Sequence, residues 1–119
     1  MKRVLIIEDD PDIREAVAEV LSADGYEVIE AANGLEGLRE ARAHPPSLIV
    51  LDLMMPTMNG WQFREAQKHE PALADIPVIV VTAYSDIEGP RLDEAALFPK
   101  PFDLVTLLLA VDKFAVRDV

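Results

Sequence analysis

Three carboxylates, a hydroxyl and an amine stand at equivalent places along this 119-residue chain. Glu8 and Asp9 follow the apolar run Val4–Ile7, and Asp52 follows Leu48–Leu51. Thr82 follows Val78–Val81, and Lys100 comes just after the weaker run Leu97-Phe98. Carboxylates gathered in one crevice repel, and one takes up a proton unless a cation intervenes. Lys100 offsets part of that charge, and a hard divalent cation offsets more. Mg²⁺ favours one or two carboxylates, keeps several waters and leaves room for phosphate oxygens. A carboxylate beside Mg²⁺, with an ammonium and a hydroxyl nearby, suits phosphoryl transfer. The carboxylate attacks phosphorus, the cations neutralise the equatorial oxygens, and the hydroxyl hydrogen-bonds one of them.

The elements that must bring these groups together are legible from periodicity. Short, continuous runs rich in branched residues suit a parallel sheet covered on both faces. Tyr26–Ala31 reads as a further short strand. Between the strands lie helical patterns. Ile13, Ala16, Val17, Val20 and Leu21 share one face, with Asp10 as N-cap, Pro11 at the first helical position and Gly25 as the stop signal. Asp12 adds negative charge to that first turn, where the helix dipole favours it. Asn33-Gly-Leu-Glu36 resembles a capping box, and its helix ends before Pro45-Pro46. A third helix starts near Gly60 and fades by His69. The last follows Asp103, with Leu104, Leu107, Leu108 and Val111 inward. The alternation predicts a doubly wound α/β domain, whose functional crevice lies beyond the carboxyl ends of the strands. The five groups fall at that edge.

Composition narrows the classes. Half the residues are hydrophobic, so a folded globule is expected, and the length suits one core. Eleven basic residues against 22 acidic ones leave a net charge of -11, which opposes binding to nucleic acid. Without cysteine there is neither a disulfide nor a thiolate metal site. No apolar stretch is long enough for a membrane span or a signal peptide, so a soluble cytoplasmic protein is expected. His44 and His69 sit in polar, proline-flanked surroundings and read as surface residues. Trp61 reads as helix packing near the site.

The segments IIEDD, LDLMMPTMNG, VTA and PKPF resemble the signatures of bacterial response-regulator receiver domains. They occur in order over essentially the whole chain, 1–119. The resemblance implies a flavodoxin-like, five-stranded parallel sheet in the order 2-1-3-4-5. It implies that Asp52 accepts a phosphoryl group. Glu8, Asp9, Asp52 and the Met54 main-chain carbonyl would hold Mg²⁺, with Asp9 as direct ligand and Glu8 acting through water. Thr82 would be the switch hydroxyl, Lys100 the phosphate-binding lysine before a cis proline, and Gly60 the glycine closing the loop after Asp52. The implied partners are a sensor histidine kinase or phosphotransfer protein and a downstream protein. A metabolic enzyme is not implied.

Two features depart from the pattern. The stretch from Thr82 to Lys100 is shorter than usual by about a helical turn, and Gly89-Pro90 falls where a helix would begin. A short, displaced or unwound helix is expected there. Three residues before Lys100 the usual aromatic is replaced by Leu97, with Phe98 one place later, and a one-residue shift in a strand reverses the face. Tyr84 is a possible substitute. Val105, Leu109 and Val116 add apolar surface to the last helix. They would pack under the altered segment or serve a partner or second copy. Other readings are a phosphorylation-independent interaction module and an enzyme proper, either a phosphatase or a flavin-binding relative. The chain would be a single-domain regulator, a relay carrier or a piece of a longer protein. An EF-hand fails for want of its glycine. A dehalogenase-type phosphatase would need a second Asp where Met54 stands.

Overall fold

The computed structural model describes residues 2–83 and 93–115. In chain order these form β1 (Arg3–Ile7), α1 (Pro11–Ala23), β2 (Glu27–Ala31), α2 (Gly34–Ala43), β3 (Leu48–Asp52), α3 (Gly60–Lys68), β4 (Val78–Thr82), β5 (Ala96–Pro99) and α4 (Leu104–Phe114). The sheet runs β2-β1-β3-β4-β5, all parallel, as expected of the flavodoxin-like class. The short helix expected between the fourth and fifth strands, with Tyr84 and Gly89-Pro90, lies outside the described residues. So does Val116.

Strand alternation divides the core in two. Leu5, Ile7, Ile49, Leu51, Val78 and Val80 meet Leu38, Ala41 and Phe63 of α2 and α3. Val4, Ile6, Leu48, Val50, Ile79 and Val81 meet Val17, Leu21, Leu107 and Val111 of α1 and α4. β3 and β4 are buried at every position, which explains why their sequences are unbroken apolar runs and not alternating ones. Leu97 packs on the α2–α3 side and Phe98 on the α1–α4 side. The one-residue displacement of the aromatic therefore does reverse its face.

Helix ends follow the expected chemistry. Asp10 caps α1, its carboxylate accepting from the amides of Asp12 and Ile13. Gly25 adopts the left-handed φ of 94° that a residue with a side chain resists. Asn33 accepts from the Glu36 amide. A complete capping box forms at Asn59 and Gln62 instead, each side chain bonding the other's backbone. Asp103 caps α4. The loop between α3 and β4 is held from within: buried Gln67 donates to the carbonyls of Leu73 (2.9 Å) and Ile76 (3.1 Å), and Arg64 donates to Gln67 Oε1 at 2.7 Å. His44 and His69 are surface residues at helix C-termini. Val105 and Leu109 are exposed on α4, at 61% and 64%.

Candidate functional site

Two strands run one residue further than their apolar pattern indicates. Asp52 and Thr82 are the last residues of β3 and β4, not the first residues after them. Each is therefore fixed by the sheet itself. Both are buried, at 2% and 0% exposure, and Glu8 is equally buried at 2%. Asp9, one residue on, is exposed. Carboxylate oxygens of Glu8, Asp9 and Asp52 all lie within 4.8 Å of one another. Lys100 enters from the loop after β5, its Nζ 2.7 Å from Glu8 Oε1 and 3.5 Å from Asp52 Oδ2. Its amide donates to the Thr82 carbonyl at 2.7 Å, which ties the lysine to the end of β4. The following Lys100-Pro101 bond is cis, as expected.

This arrangement sets the electrostatics. Glu8 and Asp52, both ionised at such separation, would repel by about 3–4 kcal/mol at a protein-like effective dielectric. Burial raises the Asp52 pKa first, and the Glu8 hydrogen bond and charge raise it further. Lys100 and the Met54 amide, which donates to Asp52 Oδ1 at 3.2 Å, pull it down without prevailing. The result is about 7. For Lys100, burial alone would lower the pKa, but the bond to Glu8 and the two carboxylate charges outweigh it and the net shift is upward. Asp52 thus binds a proton, Lys100 or another cation in competition. The donor set of three hard oxygens in a crevice fits a small divalent ion.

The loop after Asp52 is held in place by close backbone contacts. The Gly60 amide donates to the Leu53 carbonyl at 3.0 Å. A Cβ on Gly60 would stand 2.8 Å from the Asp52 carbonyl oxygen and 2.7 Å from Leu53 Cδ2, so only glycine fits. The Gly34 amide donates to the Met58 carbonyl at 3.1 Å, which joins α2 to the same loop. Thr57, at φ 69°, makes its left-handed bend. Trp61 is partly buried in the α2–α3 core beside that loop.

Every expected side chain of the site reaches the same edge: Glu8, Asp9, Asp52, Thr82 and Lys100. Arg14 is a neighbour that the sequence did not single out. It lies on α1, its Nη1 donating to the Glu8 carbonyl at 2.8 Å and its Nε 3.3 Å from Glu30 Oε1. No signal in the sequence marks it, because its partner is a main-chain carbonyl.

Comparison with known proteins agrees with this geometry. The family model "Response regulator receiver domain" matches residues 4–112. The DNA-binding dual master transcriptional regulator RpaA of Synechocystis is 37% identical over 115 residues, which are 93% of this chain and 48% of that protein. The chain spans about half the length of the first curated relatives it matches. Sporulation initiation phosphotransferase F of Bacillus subtilis is 33% identical over 95% of this chain and 93% of its own. A structure of the Thermotoga maritima response regulator TrrA in complex with Mg²⁺-BeF superposes with a TM-score of 0.85, at 31% identity, over 96% of this chain and 99% of that one. With the parallel 2-1-3-4-5 sheet and the acidic edge already in place, the chain belongs to the response regulator receiver domain family.

Proposed function

We propose that this chain is a phosphorylation switch of two-component signalling, with Asp52 as the phosphoacceptor. The observation that carries this is a buried carboxylate ending β3, gathered with Glu8 and Asp9 and approached by Lys100, which also pairs with Glu8. The ionised Asp52 oxygen forms a bond to phosphorus as the bond from phosphorus to a donor imidazole breaks. The electron pair stays on the imidazole, which is then protonated. The donor is the phosphohistidine of a sensor histidine kinase or phosphotransfer protein. The name of the Bacillus subtilis relative, a phosphotransferase, supports that partner class. Water attack on the acyl phosphate resets the switch. The chain modifies itself in this way and is not a metabolic enzyme.

Glu8 and Asp9, with Asp52 and the Met54 main-chain carbonyl, are the residues we assign to Mg²⁺. The Mg²⁺-BeF complex of TrrA supports that choice of metal. Bound there, Mg²⁺ supplies positive charge against the phosphoryl oxygens and keeps Asp52 ionised. Lys100 neutralises a further oxygen. Thr82 offers its hydroxyl as the hydrogen-bond partner of the phosphoryl group. Val105 and Leu109 supply the apolar surface that a homodimer through α4 would bury. No described helix is long and apolar enough to cross a membrane, and a cytoplasmic site of action fits kinase partnership.

The test is intact-protein mass after incubation with acetyl phosphate, with and without Mg²⁺, beside Asp52→Asn. One adduct that needs both Mg²⁺ and Asp52 is expected. No adduct on the wild type sinks the reading.

A second reading rests on the reversed faces of Leu97 and Phe98. Without an aromatic on the expected face, the chain would bind its output partner regardless of phosphorylation. Equal partner affinity of wild type and Asp52→Asn would favour it.

A further inference from the structure

Glu8 lies just beyond the last residue of β1, held to the sheet by one last ladder bond. Its position is fixed on every side. Its amide donates to the Ala31 carbonyl at 3.0 Å. Its Oε2 accepts from the Asp10 amide at 3.2 Å, and its Oε1 faces Lys100. Its carbonyl accepts from Arg14 Nη1 at 2.8 Å. The Arg14 amide in turn donates to the Asp10 carbonyl at 3.0 Å. Arg14 thus closes a ring of hydrogen bonds around the turn that carries Glu8, Asp9 and Asp10. Through Nε it also anchors that ring to Glu30 of β2. A planar guanidinium can hold two such partners in fixed directions, which an ammonium cannot.

We infer that Arg14 is a positioning residue for the acid pair: its grip on the Glu8 carbonyl keeps Glu8 and Asp9 aimed at Asp52, and so sets affinity for the divalent ion. This rests on the reading of Glu8, Asp9 and Asp52 as the Mg²⁺ site. The sign of the effect separates positioning from charge. If Arg14 acted only as a cation beside the carboxylates, removing it would tighten Mg²⁺ binding by Coulomb's law. As a positioning residue its loss must weaken binding, although a competing positive charge is gone. Groups that orient metal ligands act on the scale of about tenfold in affinity.

The experiment is a Mg²⁺ titration followed by Trp61 fluorescence and calorimetry on wild type, Arg14→Met, Arg14→Gln and Arg14→Lys, each shown to be folded by circular dichroism. Met keeps the aliphatic stem without charge or donor, and Gln keeps an amide donor without charge. Arg14→Met is expected to bind about tenfold more weakly, Arg14→Gln less weakly than that, and Arg14→Lys to recover only part of the loss, since an ammonium cannot hold both partners. Either neutral variant binding as tightly as wild type, or more tightly, overturns the role of Arg14. Should Arg14→Met fail to fold, Arg14→Gln decides by the same criterion. A wild type that ignores Mg²⁺, or whose response survives Asp9→Asn, overturns the metal reading itself and the inference with it. That outcome is told apart because it precedes any Arg14 substitution.

Discussion

Lys100 Nζ stands 2.7 Å from Glu8 Oε1, so the lysine is the ion-pair partner of Glu8. Its approach to Asp52 is looser, at 3.5 Å. Both carboxylates are almost wholly buried and depend on this ammonium. Replacing Lys100 with Met leaves two buried acids without their cation, a change that costs about 3–5 kcal/mol where such a pair is broken. Lys100→Met is expected to lower the denaturant midpoint strongly in the absence of metal, and Mg²⁺ is expected to restore part of the loss. Urea unfolding with and without Mg²⁺ checks this. Equal stability of variant and wild type would show that Lys100 does not serve the acids.

Asp52 gives a pH signature of opposite sign to an ordinary paired carboxylate. Its pKa is raised to about 7, from the 3.8 of an unperturbed aspartate. The folded protein therefore holds this proton more tightly than the unfolded chain. Linkage then makes stability highest at low pH, falling as pH climbs from the unfolded value towards the folded one and level above it. Thermal melts of the metal-free protein should fall between about pH 4 and pH 7. Asp52→Asn, which carries no charge to bury, should be more stable than wild type and should flatten that slope. An unchanged slope in Asp52→Asn would assign the proton elsewhere.

Gly60 admits no side chain because the Asp52 carbonyl and Leu53 are already there. A main-chain oxygen cannot swing aside as a side chain can. Gly60→Ala is expected to cost about 1–3 kcal/mol through overpacking. It should also slow phosphoryl uptake by moving the residue that receives it. Stability by urea unfolding and adduct formation by mass, read on the same sample, test both parts.

Gln67 provides a control away from the chemistry. Its buried amide satisfies the Leu73 and Ile76 carbonyls. Gln67→Ala removes the side-chain donor of the Ile76 carbonyl and one acceptor of Arg64, while the Leu73 carbonyl keeps the Ile76 amide and Arg64 keeps the Asp93 carbonyl, so the cost is about 1–3 kcal/mol. The α3–β4 loop should loosen, as hydrogen exchange would show, while Mg²⁺ affinity stays at the wild-type value. A change in metal affinity would mean that this loop communicates with the acid cluster.

The site was legible before the fold was known because its members sit where apolar runs stop. Asp52 and Thr82 end β3 and β4, and a strand that must be dry on both faces can be polar only at its end. Leu97 and Phe98 were legible for a similar reason, since strand parity alone decides their faces. Arg14 and Gln67 were not. Each acts on a main-chain carbonyl, and a carbonyl leaves no trace in residue type. The Asn59–Gln62 box was readable from its spacing, yet the conspicuous Gly60 beside it marks the helix start and masks its cap. The span 84–92 carries the strongest departure from the family pattern and falls outside the described residues.

The two border strands limit how the sheet can grow. On one side β2 presents Glu27 and Glu30, each already engaged by an arginine, Arg3 and Arg14. On the other, β5 has only four residues and ends in Pro99, which has no amide hydrogen to give. An added strand would have to bury those ion pairs on one border, or accept a gap in its ladder on the other. The sheet is therefore finite by composition. Among the described residues, both borders disfavour pairing with a strand of another copy.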